Sequence, residues 1–118
     1  MDTTQQIIDK LKENGWCASK PVTNHLQFYS CKTLYYKSFP GHEKCQCNND
    51  RDSKQVEILH SVAQYREQLH ESFEVECVGE LKSGSWLKLQ SYAIVKPTYE
   101  LLMEKVDELL KVWDFAAK

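Results

Sequence analysis

The sequence predicts an α+β fold with the element order α-ββ-α-ββ-α and a four-stranded antiparallel sheet whose helices pack mainly on one face. Three observations predict it. Residues 73–95 alternate apolar and polar side chains on either side of Lys82-Ser83-Gly84-Ser85, as a half-buried hairpin does. Tyr99, Leu102, Val106, Leu109 and Trp113 recur at spacings of three and four, the signature of an amphipathic helix. Residues 25–39 are rich in aromatic and β-favouring side chains. The 118 residues fit a single globular domain, 1–118.

Taken in order, Thr3 or Thr4 caps a first helix and Asn14-Gly15 ends it, with Ile7, Ile8 and Leu11 on its apolar stripe. Residues 16–24 read as a connection, because Pro21 breaks regular structure and biases Lys20 towards an extended backbone. Residues 25–39 read as two strands with a turn near Ser30 to Lys32. One long bent strand is the competing reading, since that turn lacks Gly, Pro and Asn.

A second helix is expected from about Lys54 to His70 or Glu71, capped by Asp52 or Ser53. Ile58, Val62, Tyr65 and Leu69 would share one face, with Leu59 beside them and Glu57, Arg66 and Glu67 opposite. In the hairpin that follows, Phe73, Val75, Cys77, Gly79 and Leu81 face inward, as do Leu87, Leu89, Ser91, Ala93 and Val95. A three-residue loop, Ser83-Gly84-Ser85, would set Leu81 opposite Leu87 and Glu80 opposite Lys88. Lys96-Pro97 ends the second strand and Thr98 starts the last helix.

The charge balance narrows the function. With 15 basic and 17 acidic residues the formal net charge is −2, so a nucleic-acid partner, which calls for a clustered basic excess, is not expected. No apolar run approaches the roughly 18 residues of a membrane span. The N-terminal residues carry neither a basic region nor a long apolar one, which points to the cytoplasm and to reduced thiols. The five cysteines, an odd number, also fit a disulfide framework poorly.

Two places could carry chemistry. His42, Cys45 and Cys47 form an H-x-x-C-x-C arrangement between the aromatic segment and the second expected helix. Imidazole and thiolate are ligands zinc prefers, but tetrahedral sites take four. The fourth would have to come from Asp50, Asp52, His25 or Cys31. A polar loop with reduced thiols explains the same residues without metal. Cys47 as a nucleophile would need His42 or His60 as its base, and no local signature fixes that geometry. Cys77 reads as core.

The second place is the outward face of the late hairpin, with Glu74, Glu76, Glu80, Trp86, Lys88, Gln90, Tyr92 and Ile94. Mixed aromatic and charged side chains suit a protein partner, and Trp86, Lys88, Tyr92 and Glu76 are the expected contacts. Three glutamates without a cationic rim oppose base stacking. The apolar stripe of the last helix could also build a homodimer, although packing on its own sheet explains it more simply. No phosphate loop, G-x-S-x-G or H-E-x-x-H motif occurs. The sequence thus points to a non-enzymatic, protein-binding domain. Its alternatives are a metal- or thiol-dependent site at His42, Cys45 and Cys47, or a small enzyme with a pocket between helices and sheet.

Overall fold

A computed structural model describes residues 3–24, 29–38, 55–81, 83–95 and 97–116. It opens with helix α1 (Thr4–Glu13). The Thr3 hydroxyl accepts a hydrogen bond from Gln6 N–H at 3.2 Å, and the Gln6 side chain accepts one from Thr3 N–H at 2.8 Å. This reciprocal box satisfies two backbone donors that the helix leaves unpaired. Asn14 closes the helix, and Gly15, at φ +87°, takes the left-handed position that lets the chain turn away.

Six strands follow: β1 (Cys17–Ala18), β2 (Val22–Asn24), β3 (Tyr29–Ser38), β4 (Gln55–Tyr65), β5 (Gln68–Glu80) and β6 (Trp86–Gln90). They form one antiparallel sheet in the order β1-β3-β4-β5-β6, with β2 also paired to β3. Helix α2 (Tyr99–Ala116) completes the described chain. The Thr98 hydroxyl accepts from Leu101 N–H at 3.1 Å and caps it.

The second expected helix does not form. Residues 55–65 and 68–80 are instead the two longest strands, paired from Gln55↔Val78 to Tyr65↔Gln68. Among the described residues the fold is therefore two helices on a six-stranded sheet, not three helices on four strands in α-ββ-α-ββ-α order. The cause lies in a pattern that satisfies both periods. Ile58, Val62, Tyr65 and Leu69 fit a helix face, yet Val56, Ile58, His60 and Val62 also alternate along a strand. Pairing with β3 on one side and β5 on the other decides for the strand. The turn between them, Arg66-Glu67, contains no glycine, and Arg66 takes φ +56°, a conformation that costs an L-residue roughly 1–2 kcal/mol.

Between residues 29 and 38 the backbone is one continuous strand, with no turn at Ser30 to Lys32. The late hairpin forms, with Gly79 opposite Leu87 and Val78 opposite Lys88. The expected pairs were Leu81 with Leu87 and Glu80 with Lys88. The loop begins one residue earlier, since Leu81 N–H donates to Ser85 O at 2.7 Å and Gly84 N–H to Leu81 O at 2.9 Å. The pairing shifts by two positions, an even number, so the apolar face is preserved.

Beyond β6 the faces do change. Ser91 N–H bonds Val75 O, but the next pairing joins Ile94 to Phe73, with N–H to O distances of 2.7 and 2.9 Å. Three steps on one strand match two on the other, so the segment holds a β-bulge. Ile94, expected outside, therefore packs against the core, while Ala93 and Val95, expected inside, are exposed.

Both helices cover the same sheet face. Ile7 and Leu11 from α1, and Leu102, Val106 and Trp113 from α2, share a core with Tyr35, Val56, Ile58, Phe73, Val75 and Cys77. Trp16 joins them, and Leu87, Leu89 and Tyr99 pack at the margin. The α2 stripe is thus occupied by its own sheet. The helices meet where Lys10 lies 3.6 Å from Glu100 and over the Tyr99 ring. Among the described residues no helix is long and apolar enough to cross a membrane.

Candidate functional site

Alternation along the strands assigns the face away from the helices. Glu57 on β4, Glu74, Glu76, Val78 and Glu80 on β5, and Trp86, Lys88 and Gln90 on β6 share it. The expected contact residues Trp86, Lys88 and Glu76 therefore do lie on one face. Lys88 Nζ is 3.5 Å from Glu76 Oε1, and Gln90 Nε2 donates to Glu74 Oε2 at 2.7 Å. Tyr92 stands apart, in the bulge, with 94% of its surface exposed. Trp86 is 61% exposed. The two aromatics flank β6 along about 20 Å of extended chain.

Glu76 differs from its neighbours in being buried. It stands directly opposite Glu57. Burial raises the Glu57 carboxyl above the ordinary glutamate range. The charge of Glu76 and a side-chain hydrogen bond with it push in the same direction, and Lys88 opposes them. Ionising Glu57 beside Glu76 is therefore disfavoured, because two neighbouring carboxylates cannot both ionise cheaply at such a place. The sequence hid this pair, since Glu57 read as the polar side of a helix.

β6 also presents backbone. Leu81 N–H bonds Ser85 O, and Ser91 N–H bonds Val75 O. In an antiparallel ladder the bonded pairs alternate, so Leu87 and Leu89 face β5 with their N–H and C=O groups. The backbone groups of Trp86, Lys88 and Gln90 then point away from the sheet. β6 is its last strand, and among the described residues nothing pairs with those groups. Such an edge is a template for another strand.

A third cluster sits on the helix side. The Thr4 hydroxyl bonds Glu71 Oε1. His60 stacks on Phe73, with ring centroids 4.6 Å apart, and its Nε2 lies 3.4 Å from Glu71 Oε2. The buried Nε2 makes no hydrogen bond. The carboxylate stands between hydroxyl and imidazole. His60 therefore does not touch the hydroxyl as the base of a nucleophile pair must. The cluster ties α1 to β4 and β5.

The candidate metal ligands His42, Cys45 and Cys47 lie outside the described residues, as do His25, Asp50 and Asp52. Cys31 is half-buried on β3. Among the described residues no group of three or more His, Cys, Asp or Glu could hold a metal ion. Cys77 is buried, and desolvation, followed by the charge of Glu57, pushes its thiol up to about 12. It is core, not a nucleophile. No protein-family model matches this chain, and no curated protein and no solved structure matches it either.

Proposed function

We propose that this chain acts by binding a protein partner through β6 and the sheet face beside it. The observation that carries this reading is the edge of β6, unpaired among the described residues and flanked by the exposed rings of Trp86 and Tyr92. Exposed aromatics of this kind anchor protein contacts, and their burial supplies much of the binding energy. Lys88 adds a charge at the centre of the strand. Glu76 contributes by holding Lys88 in place, because its own carboxylate is largely covered. The carboxylates around them favour protein over nucleic acid, whose phosphates they would repel.

The test is a comparison of the intact chain with the Trp86→Ala, Tyr92→Ala double variant in quantitative affinity capture from the source cells. The variant is expected to lose the captured partner while keeping its fold by circular dichroism. A partner that remains bound with undiminished affinity sinks the proposed surface.

A further inference from the structure

The kind of partner can be narrowed from the charge and hydrogen-bonding pattern around β6. Around β6 the outer face holds Glu74, Glu76 and Glu80, with Lys88 among them. Lys88 is 3.5 Å from Glu76. Glu80 lies directly behind Trp86, and Glu74 lies beside Gln90, to which it is bonded. The acidic positions therefore bracket Lys88, one towards each end of the strand. The backbone pattern has the same spacing, because Trp86, Lys88 and Gln90 present the outward-facing N–H and C=O groups.

We infer that β6 receives an extended peptide segment of a partner protein as an added strand, with basic side chains opposite Trp86 and Gln90 and a neutral one opposite Lys88. This inference rests on the protein-binding reading above and specifies its geometry. An added strand would lie two strand spacings from β5, about 10 Å, a gap that a lysine or arginine and a glutamate bridge together. The base opposite Trp86 would also lie close to the indole face, where a cation is attracted by the ring. Main-chain hydrogen bonds would supply affinity and the alternate side chains specificity.

A second copy of this chain fits the edge less well. Antiparallel self-pairing that overlaps all three outward-facing positions must centre on Lys88. It would set Lys88 directly opposite the Lys88 of the other copy, and like charges so placed destabilise a sheet. The complementary occupant is therefore a different chain.

Three capped seven-residue peptides test this against the isotope-labelled intact chain. The first alternates valine with lysine, serine and lysine. The second replaces both lysines by glutamate. The third is the first with N-methyl groups on its lysine and serine nitrogens. The first is expected to bind, to move the amide resonances of Trp86, Lys88 and Gln90, and to slow their hydrogen exchange. Roughly tenfold or weaker binding is expected of the glutamate peptide, and the methylated one should not protect the amides. Added salt should weaken the first peptide. Lys88→Pro, which removes an outward N–H where an edge strand tolerates proline, should abolish protection.

No binding of the lysine peptide overturns the inference, as does equal binding of the glutamate peptide. Resonance changes confined to other strands also overturn it. A dimer in solution whose contact protects these same amides overturns it in favour of self-pairing. Failure here, with a partner still captured in a Trp86-dependent manner, removes strand addition and leaves the protein-binding reading intact. Failure of both removes both.

Discussion

The two faces of the central strands are built from alternate residues of the same sequence and do opposite things. On the helix side of β5, Phe73, Val75 and Cys77 are wholly buried under α1 and α2. On the other side, Glu74, Glu76 and Glu80 stand among Glu57, Lys88 and Gln90. One face contributes stability through area removed from water. The other spends some of it on a pair of carboxyls, Glu76 buried and Glu57 half-buried, with Lys88 beside them. The buried core and the proposed binding face are thus separated by a step of one residue along the chain. This contrast predicts that substitutions should sort by face more than by strand.

The largest effect should come from the helix side. Phe73→Ala is expected to cost about 3–5 kcal/mol, read as a lower urea midpoint. A loss under about 1 kcal/mol would mean the core is looser than the burial of Phe73 implies. Thr3→Ala removes the α1 cap and should cost about 1 kcal/mol, measured the same way.

The outer face should respond to pH instead. The Glu57 carboxyl is raised when folded, by burial first and by Glu76 second. Its contribution is complete below the ordinary glutamate range and is lost as pH rises through the raised value. Glu57→Gln keeps a donor towards Glu76 and cannot ionise. It should stabilise the fold at neutral pH and flatten the decline from acid to neutral in urea titrations. An unchanged pH profile would show that the pair does not share a proton.

Arg66→Gly relieves the left-handed turn residue and should add up to about 1 kcal/mol, less what the Arg66 contact with the Tyr65 ring contributes. At the small end, Trp86→Ala should change stability by no more than about 0.5 kcal/mol, because the ring is mostly in solvent. The contrast can also be read chemically. Brief alkylation of the native chain should modify exposed Cys17 and spare Cys77. Equal labelling would show that the helix side opens readily.

What could be read from the sequence followed the strength of the local signal. Helix α1 had caps at both ends, α2 had a long stripe, and the 73–90 hairpin had strict alternation around Ser83-Gly84. Each was legible. Residues 55–69 were not, because Ile58 and Val62 serve both periods and the Arg66-Glu67 turn carries no Gly or Asn. What decided them is non-local, namely a strand on each side. The bulge after Gln90 left no trace either, so Ile94 and Val95 were assigned to the wrong faces. At the candidate site Trp86, Lys88 and Tyr92 could be found from alternation alone. The Glu57–Glu76 pair required knowing that Glu57 lies on a strand.

The position of α2 in the chain bears on how the protein is made. Leu102, Val106 and Trp113 share a core with Phe73, Val75 and Cys77, yet the ribosome adds them after the six described strands. A nascent chain halted between Gln90 and Leu102 would hold a paired meander whose apolar side is covered by α1 alone. Such an intermediate is prone to aggregation. The interval between synthesis of β6 and emergence of α2 is therefore when this chain most needs a chaperone, and a stop codon in that interval would yield an insoluble product instead of a shorter functional one.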